Sequence, residues 1–159
     1  MDVDLSTRLE HLTTLIGSIA DEGYDIATGS RLLPDSRTTR SWKREAISRI
    51  YNIFIKTVLF TRFSDAQCGF KAVSRRAVEQ IVPLVADQTW FFDTELLVLG
   101  EKHGYRIKDI PVVWIEDDDS RVKIFQTGWD DIKGVFRLRK QLWKRRPAEI
   151  LLPDTNRRQ

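Results

Sequence analysis

Sulfur chemistry is nearly absent from this chain, whose 159 residues include one cysteine, Cys68. A single cysteine excludes an internal disulfide and fits a reducing compartment. Long apolar runs are also missing. The longest, such as Ile53-Phe54-Ile55 and Leu96-Leu97-Val98-Leu99, fall far short of the ~18 residues that a spanning helix needs, so no membrane-crossing helix is expected. The first residues show no basic stretch followed by an apolar one, and no secretory leader is read there. Internal repeats and low-complexity linkers are lacking too. One domain over residues 1–146 is the simplest organisation, with residues 147–159 expected to form a flexible tail.

What is present is ordinary in amount and unusual in arrangement. Hydrophobic residues make up 42% and charged residues 31%, a profile that supports a packed core rather than disorder. The net charge of +3 conceals segregation. Residues 1–30 carry one base against six acids, and residues 63–120 six against eleven. Between and after them, residues 31–62 carry eight bases against two acids, and residues 121–159 eleven against four. Two basic blocks of this size point to an anionic partner: phosphates, an anionic membrane face or nucleic acid. No nucleic-acid reading motif accompanies them.

Along the chain, apolar periodicity alternates between that of helices and that of strands. Thr7-x-x-Glu10 reads as a capping box, followed by Leu9, Leu12, Ile16 and Ile19 at helical spacing. A short strand over 24–29, a polar loop over 30–41 and a long helix follow. In that helix Ile47, Ile50, Tyr51, Phe54, Ile55, Val58 and Leu59 trace the rhythm of one buried face. A strand at 70–73 and a helix from Arg75 stopped near Pro83 come next. Asp93 is placed as the cap of a helix that ends at Gly104. The strand pattern over 105–115 is interrupted by Pro111, which predicts a bend or an edge. A final helix is read over about 126–144. Alternation of this kind predicts an α/β layer architecture.

Several residue groups carry chemistry. Asp2 and Asp4 are hard oxygen donors two residues apart, able to reach one Mg²⁺ or Mn²⁺ together. Arg44, Ser48 and Asn52 recur every four residues and so share one helical face, where a guanidinium beside a hydroxyl makes a phosphate clamp. The heptapeptide Asp65-Ala66-Gln67-Cys68-Gly69-Phe70-Lys71 sets a carboxylate, an amide and a glycine turn before a strand. Cys68 reads as a small buried hydrophobe. His11 and His103 read as surface residues on helices, without ligand-like partners.

Taken in order, these segments resemble the family 2, GT-A-type glycosyltransferases that make polyprenyl-phosphate sugars. The set is Asp-Val-Asp-Leu-Ser-Thr at residues 2–7, Gly29-Ser30-Arg31, Arg44-x-x-x-Ser48-x-x-x-Asn52, Asp65 to Lys71, Trp90-Phe91-Phe92-Asp93-Thr94-Glu95 and Ser120-Arg121-Val122-Lys123. The nearest likeness is to dolichyl-phosphate glucosyltransferases and their prokaryotic relatives, and it runs in order from residue 2 to about residue 137. The resemblance implies roles. Asp2 and Asp4 would hold the metal, Mg²⁺ or Mn²⁺, that bridges the diphosphate of a nucleotide-sugar donor. Arg31, Arg44 and Ser48 would bind the phosphate of a polyprenyl-phosphate acceptor. Asp65 would lie near the reacting centre, and Ser120, Arg121 and Lys123 in an acceptor loop closing over the diphosphate.

In that family a nucleotide-binding βαβ half precedes the Asp-x-Asp pair. The expectation is therefore a partial GT-A sandwich, the acceptor side only, with little or no transferase activity by itself. An unpaired sheet edge would then favour self-association or a separate N-terminal half. The location implied is cytoplasmic and peripheral at the membrane. The basic, aromatic terminal helix, with Trp129, Phe136, Trp143 and several Lys and Arg residues, suits docking on an anionic membrane surface. Two rivals remain. One is a catalytically inactive membrane- or phosphate-binding module. The other is a haloacid-dehalogenase-type phosphatase, suggested by Asp2-x-Asp4-x-Ser6 but lacking the later Gly-flanked acidic pair.

Overall fold

Ile26–Ser30 forms a central strand, β1, and all five of its residues are buried. It runs antiparallel to a short strand at Lys71–Val73, with Ile26 opposite Val73 and Thr28 opposite Lys71. On its other side it pairs in parallel with Ile107–Pro111, from Ile26 opposite Ile107 to Ser30 opposite Pro111. A separate parallel pair joins Arg37–Thr39 to Val113–Ile115. In chain order these strands are β1 (Ile26–Ser30), β2 (Arg37–Thr39), β3 (Lys71–Val73), β4 (Ile107–Pro111) and β5 (Val113–Ile115). The helices are α1 (Leu12–Ala20), α2 (Trp42–Leu59), α3 (Arg75–Ile81), α4 (Phe92–Lys102) and α5 (Ile124–Lys144). The computed structural model describes residues 7–39, 41–115 and 124–144, with side chains of α5 from Gly128 onward.

The alternation of β1 sorts the core into two layers. Ile26 points into the larger one, with Ile55 and Leu59 of α2, Ala77 and Ile81 of α3, Leu97 and Leu99 of α4, and Val135 and Leu138 of α5. Ala27 points into the smaller one, with Leu15 of α1, Cys68, Phe70, Ile110 and Val112. The expected mixed α/β architecture is therefore present, built on a small sheet with helices on both faces. Cys68 is fully buried in the smaller layer, and burial above all pushes its thiol up to about 11, so it stays a neutral packing group.

Two glycines permit close approach. A Cβ on Gly134 would lie 2.7 Å from the Phe91 ring, which lets α5 pack against that side chain. A Cβ on Gly29 would lie 2.9 Å from Val112 Cγ1 and 3.0 Å from Cys68 Sγ. Gly29→Ala is thus expected to destabilise by about 1–2 kcal/mol through overpacking, read as a lower midpoint in urea. An unchanged midpoint would mean that the smaller layer is looser than its contacts imply.

The structure departs from the sequence reading at several ends. Thr7 caps no helix; it bridges to Trp114, and the chain enters α1 through a 3₁₀ turn at Leu9–His11 with no side-chain cap. Asp93 lies inside the first turn of α4 rather than at its cap, where Phe91 makes no side-chain bond. Gly104 does stop the helix region, with φ +77°. The strand pattern over 105–115 splits into β4 and β5 just after Pro111, at Val112. The polar loop over 30–41 contains β2. His11 is half-buried, and its Nε2 accepts the Val113 N–H at 3.1 Å, so it ties α1 to the second sheet instead of standing at the surface.

Helix α2 gives the largest revision. Its buried residues are Asn52, Ile55 and Leu59, whereas Ile47 and Ile50, expected on the buried face, are exposed. Among the described residues no helix is long and apolar enough to cross a membrane.

Candidate functional site

At the carboxyl end of β1 the chain turns through Ser30 and Arg31, and Asp65 is brought beneath them from the loop that follows α2. The carboxylate is fully buried. It accepts Arg31 Nε at 2.7 Å on Oδ2 and Arg31 Nη2 at 2.9 Å on Oδ1, a bidentate pair, and the Arg31 backbone N–H at 3.1 Å. Its Oδ1 also accepts the Gln67 N–H at 3.1 Å, closing a tight turn. Burial alone would raise this carboxyl; the Arg31 charge and the hydrogen bonds from Arg31 and Gln67 outweigh it and hold Asp65 below the usual carboxylate range. The guanidinium also lies 5.0 Å over the Trp114 ring.

The loop carrying Asp65 is anchored to four elements, β1, β4, α2 and α5. Ser64 Oγ donates to Ser30 Oγ at 2.7 Å, and the Ser64 N–H donates to Asp109 Oδ2 of β4 at 2.7 Å. The Ala66 N–H donates to Asn52 Oδ1 of α2 at 2.8 Å. Gln67 Nε2 donates to Asp131 Oδ2 of α5 at 2.6 Å. Asp109 is raised, chiefly by burial, against the opposing pull of its bonds from Ser64 and the charge of Lys56. Its Oδ1 is buried without a hydrogen-bond partner.

Arg44 and Ser48 lie one turn apart on α2, as their spacing predicts. Ser41 caps this helix by accepting the Arg44 N–H at 3.5 Å. Asn52 connects α2 to the Asp65 loop directly: its amide donates to the Ser48 carbonyl at 2.9 Å while its oxygen holds Ala66. The Ser48 hydroxyl is buried with no hydrogen-bond partner, a state that native polar groups avoid unless something else satisfies them.

Farther along, Lys71 pairs with Asp93 at 3.1 Å and donates to the Cys68 carbonyl, joining two of the distinctive segments. Glu95, fully buried in α4, accepts Arg137 Nη2 of α5 at 2.7 Å and the Asp87 N–H at 2.9 Å.

Of the residues singled out in the sequence, Arg31 and Asp65 are thus brought together, and the Ser48 carbonyl is linked to the Asp65 loop through Asn52, on the helix that also carries Arg44. Asp2, Asp4, Ser120, Arg121 and Lys123 lie outside the described residues. Among the described residues no group of three or more His, Cys, Asp or Glu side chains could hold a metal ion. Asp131 was not singled out by sequence reasoning. It lies 64 positions from its partner Gln67, and only its place opposite the exposed lysines of an amphipathic helix could have hinted at an inward role.

No family model matches the chain. Its relatives among characterised proteins are glycosyltransferases. It is 42% identical over 134 residues to glycosyltransferase AglD of Haloferax volcanii, covering 84% of this chain and 21% of that protein. It is 29% identical over 154 residues to the dolichyl-phosphate beta-glucosyltransferase of Dictyostelium discoideum, covering 91% and 47%. With the Saccharomyces cerevisiae dolichyl-phosphate beta-glucosyltransferase it shares 29% identity over 102 residues, covering 62% and 30%. The chain spans less than half the length of each of these relatives.

Proposed function

We propose that this homologue of dolichyl-phosphate glucosyltransferases is the acceptor-side portion of a GT-A, family 2 glycosyltransferase that moves a sugar from a nucleotide-sugar to a polyprenyl phosphate. The observation that carries the reading is the bond path from the Arg31–Asp65 pair through Ala66 and Asn52 to Ser48, on the helix that bears Arg44. It fixes two arginine-bearing elements relative to one another, which is what an anion clamp needs. The unsatisfied Ser48 hydroxyl supports it further, because a phosphate oxygen would accept its hydrogen.

On this reading each residue has a physical task. A lipid phosphate is already anionic at neutral pH and needs positioning more than deprotonation. Arg31, Arg44 and Ser48 hold it so that one oxygen faces the anomeric carbon. Asp65, kept ionised by Arg31, is a poor proton acceptor; it locks the guanidinium in place. Asp2 and Asp4 are assigned to Mg²⁺ or Mn²⁺, on the strength of their hard oxygen donors and of the family resemblance. When bound, the ion would offset the negative charge that builds on the departing nucleoside diphosphate. Ser120, Arg121 and Lys123 are assigned to the diphosphate side.

The test is binding of a short-chain polyprenyl monophosphate by the full chain in detergent micelles, against the matching polyprenol. Selective capture of the phosphate is expected, weakened on the order of tenfold or more in both Arg44→Ala and Ser48→Ala. Equal affinity for phosphate and alcohol, or indifference to both substitutions, would sink the proposal. Selective binding without sugar transfer, even with a donor-binding half supplied, would instead favour a non-catalytic phosphate-binding module. The phosphatase alternative finds no support among the relatives.

A further inference from the structure

The larger core layer turns polar at one end of the sheet. Along β4, Ile107 packs in that layer and Ile110 in the smaller one, so strand alternation places Asp109 on the side of Ile107. Its register partner Thr28 shares that face of the sheet, and so does Ser30, two residues farther along β1. Thr28 and Ser30 are fully buried. A leucine at 109 would continue the layer. The aspartate instead leaves Oδ1 buried without a hydrogen-bond partner, which counts against stability. Departures from packing rules of this kind are expected at functional sites.

The bonds around Asp109 show what this placement secures. Two dipeptides, Ser30-Arg31 and Ser64-Asp65, pair with each other twice. Ser64 Oγ donates to Ser30 Oγ at 2.7 Å, and Arg31 forms its bidentate pair with Asp65. Ser30 Oγ also accepts the Leu32 N–H at 3.2 Å, so its hydroxyl spans Arg31. The Arg31 N–H in turn donates to Asp65 Oδ2 at 3.1 Å. Asp109 enters this double pair at Ser64, whose N–H it accepts at 2.7 Å. After Asp65 the loop is held at Ala66 by Asn52 and at Gln67 by Asp131. Immediately before Asp65, at Ser64, the backbone is held by Asp109.

We propose that Asp109 is a positioning residue of the acceptor-phosphate site, acting through Ser64 to hold Ser30 and Asp65 where they aim the Arg31 guanidinium. The carboxylate binds no substrate itself. It fixes the loop end that carries Asp65 to β4, the strand running parallel beside β1, so that both halves of the ion pair are referred to one rigid sheet. Groups set on rigid elements keep their geometry better than groups on loops. Misplacing a binding group by about 1 Å is enough to cost an order of magnitude or more. The path from Asp109 to Arg31 rests on geometry, whereas its service to a phosphate rests on the acceptor reading.

The experiment is amide hydrogen exchange of the full chain by NMR, together with binding of a short-chain polyprenyl monophosphate in micelles. The informative amides are those of Arg31 and Gln67, which donate to Asp65. Leu97 and Leu99, inside α4, report global opening. Asp109→Ala should speed exchange at Arg31 and Gln67 on the order of tenfold, with far less change at Leu97 and Leu99. It should weaken phosphate binding by about the same factor. Asp109→Asn, whose oxygen can still accept the Ser64 N–H, should restore most of both. Ser64→Ala keeps that N–H but loses the tie to Ser30, and should speed Arg31 exchange severalfold; this holds the test open if Asp109→Ala fails to fold. Acceleration confined to Ser64, equal acceleration at Leu97 and Leu99, or unchanged Arg31 exchange in Ser64→Ala overturns the inference. So does an unchanged affinity in Asp109→Ala where the wild type captures the phosphate. The expected exchange pattern in a chain that captures no polyprenyl phosphate would leave the support of Arg31 standing and remove the acceptor reading.

Discussion

Asp65→Asn is expected to cost about 3–5 kcal/mol of stability, the range found when one partner of a buried ion pair is removed. The carboxylate is fully buried, and only 12% of the Arg31 side chain is exposed. An asparagine would present one oxygen where two accept the guanidinium fork, and its amide hydrogens would face the Nη2 donor. Arg31→Met should be comparably severe for the reverse reason, leaving a buried carboxylate with only the N–H groups of residues 31 and 67. Because the groups act as a unit, Arg31→Met/Asp65→Leu should lose much less than the sum of the two single changes. Urea unfolding followed by circular dichroism measures all three.

The acid limb gives a second readout. A depressed carboxylate contributes stability that is complete above its unfolded value, near 3.8, and is lost as pH falls through the lower folded value. The wild type should therefore lose stability below about pH 4, and Asp65→Asn should flatten that limb. Single-mutant losses under 1 kcal/mol would mean that solvent reaches the pair far more freely than its burial indicates.

Arg31 and Asp65 were both visible in the sequence, yet their pairing was not. They lie 34 positions apart, and no local pattern assigns one charge to another across a loop. The resemblance places both near an acceptor phosphate, and the geometry adds that one is committed to orienting the other. Local signals transferred better. The four-residue spacing of Arg44 and Ser48 survives because both lie within one continuous helix, and Gly104 ends a helix because its φ of +77° is available chiefly to glycine.

Nonlocal choices were harder to read. The strand β2 consists of Arg-Thr-Thr, with no apolar alternation, and exists through its parallel pairing with β5. In α2 the apolar rhythm marked a helix but put Ile47 and Ile50 wrongly on its buried face, because apolar residues lie on nearly every side. The orientation follows from a polar residue. Asn52 must turn inward to take the Ala66 N–H, and Ile55 and Leu59 follow it into the core while Ile50 is left outside.

Asp131→Asn should act in the opposite sense to Asp65→Asn and raise stability at neutral pH. Asp131 is buried on α5, where it meets Gln67 from the Asp65 loop and Tyr51 from α2, with Asp87 and Asp130 as nearby like charges. Burial raises its carboxyl to about 6, and the hydrogen bonds from Tyr51 and Gln67 only partly oppose this. A group raised above its unfolded value contributes stability that is complete below the unfolded value and is lost as pH rises through the folded one. Wild-type stability should accordingly decline between about pH 4 and 7 from this source.

Asparagine mimics the neutral acid: its oxygen can accept Gln67 and its amide can donate to the Tyr51 oxygen. The gain at pH 8 is expected to be about 2 kcal/mol, allowing for residual solvent screening, and should vanish near pH 4. A pH series of urea midpoints for the two proteins measures it, and a loss of stability at every pH would refute it. If the gain is seen, the ionised Asp131 carries a standing penalty at neutral pH. The tie from α5 to the loop beside Asp65 would then be kept at the expense of stability, as is common for groups that position a site rather than build a core.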